Sequence, residues 1–194
     1  MTHHTPPRPD QLDFPDWASN FYHSPLSYEG IRYDTAEAAF QSAKTTDMLV
    51  RQVFGERLVT PGKAKQMGRK LPLREDWERV KDDVMLDVLR AKFTSDTLAT
   101  YLLLHTDDLI EWTMWHDNYW GVCLCGRRDC HGGMNRLGSL LGQVRRELQG
   151  KPKLTGREVP YDAVDIHGGR AVPHSDMVAG RDDEDWVRRF AGGY

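Results

Sequence analysis

The sequence is poor in cysteine: three in 194 residues, at positions 123, 125 and 130. An odd number packed so tightly does not build the disulfide framework of a small extracellular domain, so a reducing compartment is expected. No apolar run approaches the roughly 18 residues of a membrane span. The opening stretch Met1-Thr2-His3-His4-Thr5-Pro6-Pro7-Arg8-Pro9 has no hydrophobic signal core either, so a soluble, cytoplasmic protein without a membrane partner is expected. Charge of one sign is also lacking. Twenty-six Lys+Arg stand against 29 Asp+Glu, a net charge of −3, which argues against a broad phosphate-gripping face and leaves room only for local nucleic-acid contact. No internal repeat is present. What remains is a chain with 39% hydrophobic and 10% aromatic residues, enough for the core of one compact domain with a possible tail.

Residues 1–13 are polar and proline-bearing and read as a flexible leader. From Pro25 to Tyr33, Leu26 and Tyr28 alternate, Glu29-Gly30 offers a tight turn, and Ile31 and Tyr33 alternate on the return, which predicts a hairpin. Asp34-Thr35 then caps an alanine-rich helix running from Ala36 to Lys44. Thr60-Pro61 opens a short helix toward Gly68. Between Arg74 and Phe93 the residues Trp77, Val80, Val84, Val88 and Ala91 recur at helical spacing and mark the longest helix. Ser95-Asp96 starts another, Leu109 to Met114 reads as a strand, and Leu137, Leu140, Leu141, Val144 and Leu148 define a closing helix. The fold class is therefore α+β: a mainly helical single domain over 14–150, packed around a small sheet or hairpin. Residues 151–194 form an extension in which only Asp182 to Phe190 regains a helical pattern.

Three constellations carry chemistry. On the alanine-rich helix Glu37, Gln41 and Lys44 fall at i, i+4 and i+7, a polar line beside the apolar Ala36, Ala39, Phe40 and Ala43. Such a line is either a solvated face or a preorganised set in which Glu37 serves as base or charge stabiliser and a desolvated Lys44 as amine nucleophile. The second constellation is Asp117-Asn118-Tyr119-Trp120-Gly121 with Gly132-Gly133-Met134-Asn135-Arg136-Leu137-Gly138, where glycines before a helix let backbone N–H groups approach an anion, or merely make a turn. Trp77, Trp112, Trp115 and Trp120 are core residues by default, with one or two available to stack a ring. The third is Cys123, Cys125, Cys130 and His131. Four zinc-type ligands within nine residues invite a structural metal. Cys-x2-Cys knuckles are absent, however, and adjacent Cys130 and His131 aim poorly at one ion, so packed thiols are the simpler reading and no metal is assigned. His23, His105, His116, His167 and His174 share no metal or triad spacing and read as surface or satisfied residues.

Read together, these blocks resemble a known family. Ala18-Ser19-Asn20-Phe21-Tyr22-x-Ser24-Pro25 leading to Thr35-x-Glu37-x-x-Phe40-Gln41-x-x-Lys44 is similar to the opening signature of the NADAR superfamily, named for NAD and ADP-ribose, which includes riboflavin biosynthesis intermediates N-glycosidases. Similarity continues through Pro61-Gly62-x-Ala64-Lys65-x-x-Gly68-Arg69, Leu73-Arg74-x-Asp76-Trp77, Leu89-Arg90-Ala91-Lys92-Phe93, Tyr119-Trp120-Gly121 and Asn135-x-Leu137-Gly138, in the family's order. The resemblance implies an α+β domain that hydrolyses a ribose–nitrogen bond without a cofactor. The implied substrates are ADP-ribosylated guanine, as nucleoside or nucleic acid, or phosphoribosylamino-pyrimidine intermediates of riboflavin synthesis. A non-catalytic module that binds ADP-ribose or NAD is the rival.

By position, Glu37 and Lys44 are implied as catalytic. Asn20, Phe21, Tyr22, Phe40, Gln41, Trp77, Trp120 and Gly121 are implied in substrate binding, and Asn135, Arg136 and Gly138 beside the phosphates. The basic residues Arg127, Arg128 and Arg136 favour a pyrophosphate-bearing ADP-ribosyl substrate. The cysteine-rich insertion and the extension beyond Gly150 depart from the family's minimal pattern.

Overall fold

A computed structural model describes residues 14–150, apart from Arg57, Leu58, Thr106, Arg128 and His131. The leader 1–13, the extension 151–194 with its helix-like 182–190, His131 and Arg128 therefore lie outside the described residues. Within the stretch read as one domain, two compact units are distinguishable: Pro15–Asp107 together with the chain from Leu140, and Asp108–Ser139.

The larger unit opens with a 3-10 turn at Asp16–Ala18 and the expected hairpin, β1 (His23–Tyr28) and β2 (Ile31–Thr35), antiparallel with Tyr28 opposite Ile31 and Leu26 opposite Tyr33. Glu29 (φ 46°) and Gly30 (φ 77°) both take the left-handed backbone that a two-residue hairpin turn of matching twist demands. Ser24, Leu26 and Tyr28 of β1, with Tyr33 and Thr35 of β2, point inward. Helix α1 (Ala36–Ser42) follows at once, its start capped by the Thr35 hydroxyl, which accepts from the Ala38 N–H. Every residue of α1 is buried, and it touches β1, β2 and helices α2 (Met48–Phe54), α3 (Pro61–Lys70) and α4 (Trp77–Lys92). The alanines allow that crowding, since small side chains let several neighbours approach one helix.

The close contact of α1 with α3 depends on Gly68. A Cβ there would stand 1.9 Å from Gln41 Oε1, so only glycine leaves room for the Gln41 amide. Helix α4 buries Trp77, Val84, Met85, Val88 and Leu89 on its inner stripe. It is tied to α6 (Arg136–Leu148) by the Arg90 guanidinium, which donates through Nε and Nη2 to the two carboxylate oxygens of Glu147 at 2.9 and 2.7 Å. Helix α5 (Asp96–Leu104) buries Leu98 and Leu102.

In the smaller unit the strand expected over 109–114 shortens to β3 (Trp112–Thr113), which pairs in parallel with β4 (Val122–Cys123). Asn135 takes a left-handed φ of 45° just before α6. Its amide donates to the Leu109 carbonyl (2.9 Å) and accepts from the Glu111 N–H (3.1 Å). One side chain thus satisfies the Leu109 carbonyl and the Glu111 N–H, while the Glu111 carbonyl accepts from the Val122 N–H of β4 at 2.7 Å.

Candidate functional site

The polar line on α1 is not a solvated face. Glu37 is 6% and Gln41 5% exposed, and burying a carboxylate without compensation costs several kcal/mol. Compensation comes from Gln41 Nε2, which donates to Glu37 Oε1 at 2.9 Å, and from the Lys44 charge. Placement in the first turn of α1 adds the favourable end of the helix dipole. The Glu37 N–H donates to the Asn20 carbonyl at 3.0 Å, so the Asn20-Phe21-Tyr22 loop closes over the start of the helix. Asn20 is itself buried, and its Oδ1, like Gln41 Oε1, has no hydrogen-bond partner among the described residues. The Asn20 amide instead directs its Nδ2 to the Met85 sulfur at 3.5 Å, and Gln41 Oε1 faces Gly68 of α3.

Helix α1 ends at Ser42, two residues earlier than its pattern predicts, so Lys44 sits in the following turn rather than on the helix. Its carbonyl accepts from the Arg74 N–H at 2.8 Å, which fixes the turn against the approach to α4. Its ammonium lies 5.9 Å from the Trp77 ring centroid, within cation–π reach, and Trp77 in turn packs on Phe40 with centroids 5.2 Å apart. Burial holds the Lys44 ammonium below its ordinary range. Glu37 opposes that shift, whereas the neighbouring cations Lys65 and Arg69 reinforce it.

Lys65 and Arg69 were not singled out by the sequence beyond their place in a matched block. They are spaced i, i+4 on α3, next to the Ala64 and Gly68 positions that are buried against α1, with Lys65 half-buried and Arg69 exposed. Lys65 also lies 5.8 Å over the Phe21 ring. Lys92 is a second omission: only 1% exposed, it donates to the carbonyls of Ala18 (3.2 Å) and Ser19 (2.7 Å) and lies 6.0 Å from the Tyr22 ring. It anchors the loop that carries Asn20 and Phe21. Its signal was available, because position 92 continues the apolar stripe of Met85, Val88 and Leu89, where a lysine needs buried acceptors.

Asn20, Phe21, Tyr22, Glu37, Phe40, Gln41, Lys44 and Trp77 are thus linked within the larger unit. Trp120, Gly121, Asn135, Arg136 and Gly138 belong to the smaller one. There the expected phosphate-facing amides are already engaged. The N–H groups of Met134, Asn135, Arg136 and Leu137 donate to the carbonyls of Asn118, Gly121, Tyr119 and Trp120 at 2.8, 3.3, 3.1 and 3.0 Å. The glycine-led start of α6 is therefore closed by backbone carbonyls, and an anion would have to be met there by side chains. Gly138 is explained by packing, since a Cβ would fall 1.9 Å from the Leu109 carbonyl oxygen.

The sequence profile of the NADAR domain matches residues 10–149. The chain belongs to the NADAR family. Among relatives, the N-glycosidase YbiA of Escherichia coli K12 is 39% identical over 140 residues, covering 70% of this chain and 82% of that protein. The N-glycosidase Npun_R5314 of Nostoc punctiforme is 30% identical over 144 residues, covering 71% and 88%. The riboflavin biosynthesis protein VVA0006 of Vibrio vulnificus is 27% identical over 158 residues, 80% of this chain but 40% of that one. The NMR structure of E. coli YbiA superimposes with a TM-score of 0.58 at 38% identity, covering 69% of this chain and 77% of the other. This NADAR chain is an N-glycosidase, a hydrolase of N-glycosyl bonds acting on a glycosyl substrate. No helix among the described residues is long and apolar enough to cross a membrane.

Proposed function

We propose that the bond cleaved joins a ribose to a nitrogen, that Glu37 and Lys44 carry the reaction, and that the substrate is an ADP-ribosylated guanine. The observation that supports this most is the buried Glu37–Gln41 pair beside a desolvated Lys44. Cleaving the C1′–N bond sends its electron pair to the departing nitrogen and leaves positive charge on the ribose ring, so the site needs a carboxylate near C1′. Glu37, oriented by Gln41, stabilises that charge and removes a proton from the water that adds to C1′. The departing nitrogen needs a proton or a hydrogen bond. Lys44 supplies it as the ammonium; or, as the neutral amine that its lowered pKa makes accessible, it attacks C1′ as the C1′–N bond breaks, one amine proton passing through Glu37 to the departing nitrogen and the other to the ring oxygen as the sugar opens to an imine, which water then hydrolyses to free the sugar and the lysine.

Lys65 and Arg69 beside Lys44 suit the phosphates of the ribosyl group, and Phe21, Tyr22 and Trp77 offer rings for the heterocycle. No cofactor is required for this chemistry.

The riboflavin name of the Vibrio relative favours a second reading, hydrolysis of a phosphoribosylamino-pyrimidine. Offering ADP-ribosylated guanosine and a phosphoribosylamino-pyrimidine to the same preparation separates the two. Faster release of guanosine is the expected result, and faster release of the pyrimidine transfers the assignment. Tight ADP-ribose binding without release from either would instead favour the non-catalytic module.

A further inference from the structure

We infer that His116, Cys123, Cys125 and Cys130 form a closed structural zinc site in the smaller unit. One nitrogen or sulfur from each of the four lies within 4.8 Å of the other three. The fourth ligand is thus His116, which carries no metal spacing in the sequence.

The parallel strand pair explains how residues so separated converge. Thr113 of β3 stands opposite Cys123 of β4, and both chains leave the pair in the same direction. His116 follows three residues beyond Thr113 and Cys125 two beyond Cys123, at the same end of the ladder. The return is made by a turn with Gly126 at φ 71°, closed by the Cys130 N–H donating to the Arg127 carbonyl at 3.0 Å. His116 itself adopts φ 63°, a left-handed backbone that a histidine takes at a cost and that recurs where geometry serves a site.

The distances suit a tetrahedral ion. Zinc–sulfur bonds of about 2.3 Å and zinc–nitrogen bonds of about 2.0–2.1 Å give tetrahedral donor edges of about 3.8 Å between sulfurs and about 3.6 Å from sulfur to nitrogen. Cys125 Sγ lies 3.6 Å from His116 Nδ1. The His116 backbone N–H also donates to Cys123 Sγ at 3.2 Å, the kind of outer contact that orients a thiolate ligand. All three cysteines are free, and Cys123 and Cys130 are 0% and 2% exposed, so the sulfurs are withdrawn from solvent without being paired to one another. Three sulfurs and one imidazole favour zinc over hard, oxygen-seeking cations. With four protein ligands no position stays open for water, so the ion braces the fold rather than taking part in hydrolysis. It clips together residues 116–130, a stretch that includes Trp120 and Gly121 and whose regular structure is otherwise one end of a two-residue strand pair. Binding displaces the three thiol protons to solvent.

The test uses the full chain purified under reducing conditions. Elemental analysis should find about one zinc per chain. After chelation under reducing conditions, cobalt should bind to saturation at about one equivalent, with thiolate-to-cobalt charge transfer and the intense visible bands of a tetrahedral ion, and zinc should erase both. His116→Ala should weaken cobalt binding by at least about tenfold, while His131→Ala leaves it unchanged. Weak octahedral cobalt spectra with reduced thiols, loss of binding in His131→Ala but not in His116→Ala, or a native mass short of two hydrogens from a disulfide would each overturn the assignment. Because the cobalt titration is made on the unmutated chain, it decides even if a variant fails to fold.

Discussion

Glu37 shows how one residue's burial converts a sequence pattern into chemistry. A glutamate in the first turn of an alanine-rich helix is unremarkable while it faces water. At 6% exposure, with Gln41 Nε2 at 2.9 Å, it is a charge held in place at a cost that only a task or a partner offsets. Lys44 makes the matching point for pH. Because its folded pKa is lowered by burial and by Lys65 and Arg69, the folded chain binds fewer protons than the unfolded one between that value and the ordinary lysine value. Stability therefore rises with pH across that window. Removing a neighbouring cation should raise the Lys44 pKa. The Lys65→Ala variant is accordingly expected to move the limb of the rate–pH profile that Lys44 governs, alkaline if it acts as the ammonium and acid if it acts as the neutral amine, to higher pH than in the unmutated enzyme, measured at saturating substrate. An unmoved limb would separate Lys44 from the titration that governs rate.

Gly68 can be tested by a single methyl. Gly68→Ala places a Cβ 1.9 Å from Gln41 Oε1 and 3.0 Å from Gln41 Cβ. It is expected to cost about 1–3 kcal/mol in denaturant unfolding and to lower turnover as well, because Gln41 carries Glu37 with it. A neutral result in both measurements would show that α1 and α3 have slack between them.

At the level of elements, the sequence is legible wherever one local rule decides. The Glu29-Gly30 turn, the Thr35 and Thr60-Pro61 helix starts, the α4 stripe and the closing helix stand where turn chemistry, capping and periodicity put them. Helix α2 escaped because its residues Met48–Phe54 bury only Arg51 and Phe54, too few to show a period, although Asp47 caps it through the Leu49 and Val50 N–H groups. The strand pattern over 109–114 is only partly realised: β4 pairs with Trp112–Thr113 and reaches the Glu111 carbonyl, whereas the Leu109 carbonyl and the Glu111 N–H are met by the Asn135 amide. Among the candidate residues, the proximity of those on α1 is legible because one helix carries them. Lys65, Arg69, Lys92 and His116 are not, because each matters through elements distant in sequence.

The tie between α4 and α6 is likewise long-range, joining Arg90 to Glu147, and Arg90 also bonds Asp87 Oδ1 at 2.7 Å. The Arg90 side chain is 31% and that of Glu147 17% exposed, so solvent discounts the pair. Glu147→Ala is expected to lower stability by about 0.5–1.5 kcal/mol, and a double-mutant cycle with Arg90→Ala should recover most of that as coupling. Independent, additive losses would show the bidentate pair to be ornamental.

For the whole molecule, near-neutral charge and a buried acid–amine set describe the same kind of protein. A glycosidase that admits one ribosyl group needs a few local cations, here Lys44, Lys65 and Arg69, and no basic face. The described residues separate into a larger unit that holds this set and a smaller one organised by Asn135 and the cysteine cluster. Family membership over residues 10–149 fixes the class of reaction, while the proposal that Glu37 and Lys44 perform it draws its support from the geometry around α1. The most direct test is therefore the rate of ADP-ribose release from ADP-ribosylated guanosine, followed by product chromatography for the unmutated chain and for Glu37→Gln. The unmutated chain should release ADP-ribose and guanosine, and Glu37→Gln should slow release about 10²- to 10³-fold with its fold and ADP-ribose binding kept. Release by Glu37→Gln at the unmutated rate would contradict the central role given to this carboxylate.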